Sequence, residues 1–238
     1  MANPPAHPIV HLTSSIPMSR PTLDAVEVRA VFALAEKSMA TPDQYPMTLH
    51  ALVAACNQKT AREPVTALAE RDVQAALERL MRRGLVGTTA GAGHRVAKFR
   101  HRLDQALDLS KRELAALTLL ALRGPQTSGE IRTRSERLAA FESVEAAEEA
   151  LWLLADRDDP LVVRLPRRPG QSADRYAHLL SGDVDAEAWA EAPSSSAASA
   201  AASPAASPPS ALVARVEALE AEVADLRARL DALIAELS

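Results

Sequence analysis

The sequence predicts a mainly α-helical protein with small β-hairpins, an α+β fold built from two similar modules and a C-terminal helix. A helix-start pattern, Leu-(Asp/Ser)-x-x-Glu, begins at Leu23 and again at Leu109, 86 positions later. Each copy is followed by two further helical segments and two β-type runs around a polar turn. Leucine also recurs every seventh residue from Leu212 to Leu233. Because an α-α-α-β-β order is the plan of a winged-helix domain, the repeat predicts a tandem of winged-helix domains followed by a coiled-coil helix.

The first module is assigned to residues 22–102. Asp24 is placed to cap its first helix, and Glu27 completes a capping box three residues later. Apolar residues at helical spacing predict the buried stripe of this helix: Val28, Val31, Phe32 and Ala35. The other predicted elements are helices at 49–57 and 70–83 and strands Leu85–Thr89 and Val96–Arg100 around a turn, or wing, at 90–94.

The second module, residues 103–185, repeats this order. Ser110, Thr127 and Ser143 are placed to cap its three helices, the third of which is predicted at 144–156. Glu113 and Glu130 stand three residues after the first two caps, as a capping box requires. The predicted strands are Leu161–Leu165 and Tyr176–Leu180, around a longer wing at 166–175.

The segments outside the modules differ in composition. Residues 1–21 are rich in proline and small polar residues, which predicts a disordered tail. Residues 186–210, nearly all Ala, Ser and Pro from position 192 onward, predict a linker.

Residues 211–238 carry a heptad repeat. Valine at position a with leucine at position d favours a parallel two-stranded coiled coil. We therefore expect a homodimer, and the alternative is an amphipathic helix that packs back on the modules. The predicted dimer seam consists of Leu212, Val216, Leu219, Val223, Leu226, Leu230, Leu233 and Leu237.

Charge is divided unevenly along the chain. Residues 22–102 carry 12 basic and 8 acidic side chains, 103–180 carry 11 and 13, and 181–238 carry 3 and 10. A nucleic-acid surface therefore belongs to the first module. Aromatic residues make up only 3% of the chain, which argues against base-stacking platforms.

The single cysteine and the hydropathy pattern indicate the compartment. Cys56 has no partner for an intrachain disulfide and suits a reducing environment. No leader is recognisable, and no apolar run approaches the roughly 20 residues that a membrane span needs. We expect a cytoplasmic protein without membrane contact.

The third helix of the first module is the candidate DNA-binding element. In winged-helix proteins that bind DNA, this helix enters the major groove and the wing contacts the backbone or minor groove. Arginine and glutamine can bind guanine and adenine edges. The alternative is an ordinary solvated helix face beside a charged hairpin. The predicted contacts to double-stranded DNA are Arg71, Gln74, Arg79, Arg82, His94, Arg95 and Lys98.

The equivalent helix of the second module has an acidic outer face, which includes Glu145, Glu149 and Trp152. Carboxylates disfavour insertion into a phosphate-lined groove, so this face predicts a protein partner. Trp152 has two interpretations: core at the module junction, which we favour slightly, or an exposed interface anchor. Arginines on the second helix and wing either bind an acidic partner or pair within their module.

Several long motifs identify a family resemblance. They are TPDQYPMTLHAL from Thr41, ACNQK from Ala55, REPV from Arg62, LRGPQTSGEIR from Leu122 and YAHLLSGDV from Tyr176. Over residues 22–184 the sequence resembles the YceH-like family of uncharacterised bacterial proteins. The resemblance implies a tandem winged-helix fold and brings no activity, ligand or catalytic residue.

One motif is a polar cluster just before the third helix. Asn57 and Gln58 can satisfy carbonyls at a helix end, and Arg62 and Glu63 can pair with each other or across the module. The alternative is that Lys59 and Arg62 meet phosphate or an acidic partner.

The sequence carries no recognisable catalytic set. Its six histidines lack metal-ligand spacing, and the Gly91-x-Gly93 turn does not open a helix as a dinucleotide loop would. We expect no enzyme, cofactor or metal. The favoured function is a dimeric DNA-binding regulator, and the alternative is a protein-interaction scaffold that uses its winged helices without DNA.

Overall fold

A computed structural model describes residues 20–89, 96–168, 171–185 and 189. The described chain is about half helical with small antiparallel sheets, which confirms the predicted α+β class. In the first repeat the elements are α1 (Ala25–Ala40), a 3₁₀ turn (Pro42–Gln44), β1 (Met47–Thr48), α2 (Leu49–Cys56), α3 (Glu70–Arg82), β2 (Val86–Thr89) and β3 (Lys98–His101). The second contains α4 (Leu103–Leu107), α5 (Lys111–Arg123), α6 (Ser128–Arg134), α7 (Val144–Ala155), β4 (Val162–Leu165) and β5 (Arg175–His178).

The helices begin where the capping residues predict. Asp24 accepts hydrogen bonds from the backbone of Val26 and Glu27, and the Glu27 carboxylate accepts from the Asp24 backbone N–H. Ser110 and Thr127 form equivalent boxes at α5 and α6. Ala69 at the start of α3 makes no side-chain cap, as its methyl group dictates.

The sheets preserve the repeat. β1 and β2 pair antiparallel with β3, and β4 pairs antiparallel with β5. In the first repeat, Met47 lies opposite Phe99 just before the Thr48 cap of α2. In the second, Gln126 bridges Tyr176 just before the Thr127 cap of α6. The same local arrangement is therefore built twice, once as a two-residue strand and once as a single bridge.

The core is continuous between the two repeats because α1 packs against α5. The predicted stripe of α1 is buried, but so is every residue from Glu27 to Ala35. Likewise α5 is buried from Leu114 to Leu122. These helices therefore differ from the predicted amphipathic helices, since each is covered on one side by its own repeat and on another by its counterpart.

Three elements are absent from the sequence prediction: the 3₁₀ turn, β1 and α4. Elements of two to five residues are too short to produce a recognisable periodicity. Strand β1 also depends on a distant segment, because it forms by pairing with β3. Several predictions fall outside the described residues: most of the N-terminal tail, the first wing with His94 and Arg95, the linker and the coiled-coil segment.

Candidate functional site

The outer face of α3 exposes side chains of both signs. Arg71 and Arg82 are exposed, and Gln74 donates from Nε2 to Glu78 Oε1 at 3.4 Å. Arg71 is 88% exposed, with its Nε 3.6 Å from Asp72 Oδ1. Arg71, Gln74 and Arg82 thus lie on the predicted surface, but acidic neighbours interrupt its positive charge.

Arg79 is held inside its own repeat. Its Nε donates to Glu27 Oε1 at 2.9 Å, and its Nη2 donates to Asp24 Oδ2 at 2.6 Å. The hydrogen bond with Glu27 is the leading cause that raises the pKa of Arg79. Arg83 adds a second cation, 3.9 Å from Glu27 Oε2, and donates to the Thr22 carbonyl. The α3 face therefore loses Arg79 as a free cation, because the capping box of α1 already binds it.

Strand β3 of the hairpin carries two basic residues, Lys98 and Arg100. Lys98 is half-buried and Arg100 is exposed, whereas Phe99 between them is buried. This alternation follows from the two-residue period of a strand, which sends Lys98 and Arg100 to the same side of the sheet. Lys98 therefore keeps its predicted position near the wing.

The outer face of α7 carries an exposed tryptophan. Trp152 is 56% exposed, so the favoured interpretation of it as core at the module junction is wrong. The α7 core positions (Ala147, Ala150, Leu151 and Leu154) are filled as predicted. Glu145 and Glu149 are exposed on the same side as Trp152, since offsets of four and seven residues return to one helix face.

Trp152 lies in a shallow groove of about 420 Å³, called the α7 groove below. It is lined by Glu145, Glu148, Glu149, Trp152, Ala155, Arg164 and Tyr176. Arg164, the only cation of this set, is ion-paired with Asp174. The groove therefore joins an indole surface to three carboxylates.

Local contacts keep the α7 groove acidic. Hydrogen bonding by its own backbone, then by Ser143, lowers the pKa of Glu145. Burial is the main cause that raises the pKa of Tyr176, and nearby Glu148 contributes. Within the described chain, none of the three groove glutamates forms an ion pair. The sequence placed Glu145 and Glu149 here, but missed Glu148 and Tyr176 because the groove depends on the packing of β5 beside α7.

The polar cluster after α2 is structural, as one of the two interpretations predicts. Arg62 is buried and forms a two-point contact with Glu36, Nη1 to Oε1 at 3.1 Å and Nη2 to Oε2 at 2.7 Å. The Asn57 side chain accepts from and donates to the backbone of Leu68. Arg62 thus pairs with Glu36 on α1 and not with Glu63. The exposed Lys59 is not part of this network.

The arginines of the second module mostly pair within that module. This is one of the two alternatives that the sequence left open, the other being contact with an acidic partner. Arg134 and Arg175 contact Glu130, at 3.4 and 2.9 Å, and Arg167 binds Asp174 at 2.6 Å. Arg168 packs over the ring of Trp189, 3.4 Å from its centroid.

Other chemical groups are inert or dispersed in the described part of the chain. Burial raises the pKa of the Cys56 thiol to about 12, so it stays protonated at neutral pH. Across residues 20–89, 96–168 and 171–185, no three His, Cys, Asp or Glu side chains converge as metal ligands. None of the helices described here has the length and apolar character of a bilayer span.

Comparison with known proteins places the chain in a family. The family model described as "Protein of unknown function, DUF480" matches residues 23–171. A UPF0502 protein of Chromobacterium violaceum is 47% identical over 211 residues, covering 89% of this chain and 90% of the relative. A UPF0502 protein of Pectobacterium atrosepticum is 46% identical over 218 residues, covering 90% and 98%. The UPF0502 protein YceH of Salmonella arizonae is 44% identical over 220 residues, covering 90% and 97%. These matches confirm the resemblance noted from the motifs, and the chain belongs to the UPF0502 (YceH) family of bacterial proteins of unknown function.

Proposed function

We propose that this protein is a protein-docking module whose α7 groove binds a basic segment of a partner protein. The observation that carries the proposal is the 56% exposure of Trp152 among three glutamates. The winged-helix plan serves here as the scaffold that presents α7. This is the scaffold alternative from the sequence, now with a defined surface and a defined partner chemistry.

Trp152 is the largest apolar side chain that lines the α7 groove. A tryptophan offers a large rigid surface, and such residues are frequent anchors of protein interfaces. Tyr176 and Ala155 extend the surface at the base of the groove. Leaving this indole in water costs free energy that a docked side chain would recover.

The glutamates of the α7 groove favour a partner with basic side chains. Glu145 and Glu149 are four residues apart on one helix face, where like charges destabilise a helix by about 0.2–0.5 kcal/mol per pair. A lysine or arginine in the groove would relieve this repulsion and place its cation over the indole ring. A cation–π contact contributes about 0.5–1 kcal/mol at an exposed site.

Peptide binding tests the proposal with a matched pair of variants. The probe is a fluorescein-labelled Arg-Lys-Arg-Lys peptide, with Glu-Asp-Glu-Asp as its acidic control, measured by anisotropy. We expect the basic peptide to bind, Trp152→Ala to weaken binding about tenfold or more, and Val65→Ala to leave it unchanged. Val65 is the control because it is 55% exposed in the other repeat. Equal binding by the two variants would overturn the proposal, provided that circular dichroism shows both folded.

Double-stranded DNA is the second candidate partner, as the sequence predicted. The observation that favours it is the exposure of Arg71 and Arg82 on α3 and of Arg100 on β3 of the first repeat. A dimer joined by the predicted coiled coil would present two such surfaces to one duplex. The acidic residues of α3 and the pairing of Arg79 argue against it.

A salt titration separates the two candidates. Affinity for a DNA duplex supported by several phosphate contacts falls steeply between 50 and 200 mM salt. If DNA is the partner, an Arg71→Ala, Arg82→Ala double variant weakens binding, whereas Arg112→Ala, which removes an exposed α5 arginine paired with Glu142, does not. Absence of duplex binding at 50 mM salt would eliminate this candidate.

A further inference from the structure

A second groove lies where the two repeats meet, at the ends of α1, α5 and α6 and the loop after α2. It has a volume of about 340 Å³ and is called the arginine groove below. Four cationic side chains and two acidic ones, Glu36 and Glu136, line it. The hydrogen-bond donors that line it include Lys37, Gln58, Thr60, Arg123, Arg134 and Arg137.

Of the two acidic residues that line this groove, Glu36 already has partners, whereas the exposed Glu136 forms no ion pair within the described part of the chain. Glu36 binds the buried Arg62 through both carboxylate oxygens and lies 3.6 Å from Lys37. Below the groove, Glu130 pairs with Arg134 and Arg175. The local positive charge therefore exceeds what these carboxylates neutralise.

Arg123 and Arg137 are the two groove cations without an ion pair among the described residues, and Arg123 is the more buried of the two. Arg123 is half-buried at the end of α5, and among the residues that the structure describes its guanidinium has no hydrogen bond or ion pair. Burial, followed by the like charge of Arg134, lowers the pKa of Arg123. A partly desolvated guanidinium beside other guanidiniums is unfavourable unless an anion joins it.

The groove also offers neutral donors. The Oε1 atom of Gln58 accepts hydrogen bonds from Arg62 at 2.8 Å and Lys37 at 3.3 Å. The Gln58 amide hydrogens therefore remain for another acceptor. Thr60 adds a hydroxyl on the same loop, and the exposed Arg137 adds a guanidinium at the rim.

We propose that the arginine groove binds a small phosphate-bearing molecule and that Arg123 contacts its phosphate. The fork of donors on a guanidinium matches phosphate oxygens, and the dianion would offset the excess charge. The volume lies at the small end of the range for small-molecule sites, which favours a compact metabolite. Because both repeats line the groove, the ligand would touch α1 and its counterpart α5 at once. This site is separate from the α7 groove.

Calorimetric titration of the full chain with inorganic pyrophosphate tests the site. We expect saturable binding at millimolar or lower concentration and an affinity about tenfold or more weaker in Arg123→Gln, the effect of one lost charge-assisted contact. Arg137→Gln should weaken binding by a smaller factor. The matched control, Arg112→Gln on the same helix, should bind as the unaltered protein does.

Thermal melting distinguishes a binding residue from a structural one. Because Arg123 has no partner to lose, Arg123→Gln should melt at the same temperature as the unaltered protein or higher, in the absence of pyrophosphate. Pyrophosphate should raise the melting temperature of the unaltered protein and not that of the variant. Lack of pyrophosphate binding, unchanged binding by Arg123→Gln, or a marked loss of stability in that variant would each overturn the proposal. The proposal would also be overturned if Arg123→Gln weakened the binding of a DNA duplex but left pyrophosphate binding unchanged. The groove would then bind a nucleic-acid backbone.

Discussion

Arg79 on α3 donates from Nε to the buried carboxylate of Glu27 on α1, at 2.9 Å. Glu27 is only 2% exposed and also accepts the backbone N–H of Asp24, so one side chain completes a helix cap and ties two helices together. This contact converts a predicted DNA-binding arginine into part of the framework. Of the other two α3 arginines, which are exposed, Arg71 lies 3.6 Å from Asp72, and Arg82 forms no ion pair among the described residues.

Removing this carboxylate should destabilise the first repeat. Glu27→Ala removes one of the two carboxylates that bind Arg79 and breaks the capping box, and we expect it to lower the free energy of unfolding by about 2 kcal/mol. Urea denaturation measures the change. Glu70→Ala, which removes an exposed acid in the first turn of α3, should change it by no more than about 0.5 kcal/mol. Equal stability of the two variants would show that the contact contributes little.

The missing cap of α3 offers a gain in stability. Ala69 already has the extended backbone of an N-cap residue, with φ −76° and ψ 153°, but makes no side-chain hydrogen bond. Ala69→Ser should therefore stabilise the protein by about 1 kcal/mol, because the hydroxyl can accept from a free N–H of the first turn. The reverse change in α5, Ser110→Ala, should cost about as much. A stability ranking in the opposite order, measured by thermal melting, would refute the capping account.

Stability should also fall in mild acid because of His178. Burial lowers its pKa from 6.5 to about 4, and its Nδ1 is buried without a hydrogen-bond partner. Between pH 7 and pH 5 the unfolded chain gains a proton on this ring that the folded chain excludes. Protonation of this ring in the unfolded chain therefore lowers the free energy of unfolding by up to about 2 kcal/mol at pH 5. This destabilisation is present below pH 6.5 and absent above it.

The pH effect can be isolated by comparing slopes. Burial also lowers the pKa of His101, which contributes to the same slope, so His178→Asn should reduce but not abolish the dependence of the urea midpoint on pH between 7 and 5. His50→Asn, at an exposed position, should leave it unchanged. If His178→Asn keeps the full slope, another group causes the acid sensitivity.

The predicted homodimer lies in residues outside the described structure and depends on the heptad pattern alone. Leu219→Pro with Leu226→Pro introduces two helix breakers at d positions and should convert a dimer into a monomer in sedimentation velocity. The substitutions Glu217→Gln and Asp231→Asn, at heptad positions b outside the predicted seam, serve as the matched control and should leave the mass unchanged. A monomeric unaltered protein would eliminate the coiled-coil prediction.

Local features were predictable from the sequence, and contacts between distant segments were not. The Asp24 and Ser110 caps follow from spacing over three residues, which the chain alone determines. The binding of Arg79 by Glu27 joins positions 52 residues apart and has no local signature. The sequence placed Trp152 on the outer side of its helix, but its exposure depends on whether the other repeat covers that side.

The arginine groove illustrates the same limit. Arg123 ends an apolar helix and resembles an ordinary C-terminal cation that favours the helix dipole. Its neighbours Lys37 and Gln58 come from the other repeat, and only the packing of α1 on α5 brings them together.

If Trp152 belongs to a binding surface for cationic segments, its indole N–H reports the binding most directly. The chain has two tryptophans, so a ¹⁵N-labelled sample gives two indole resonances, and Trp189 is the internal control because its indole donates to the Pro166 carbonyl. Titration with the Arg-Lys-Arg-Lys peptide should shift the Trp152 resonance progressively and saturably and leave the Trp189 resonance in place. In a Glu145→Gln, Glu149→Gln variant the peptide should no longer shift the Trp152 resonance. A Trp152 resonance that stays fixed, or that moves equally in the variant, would contradict the account.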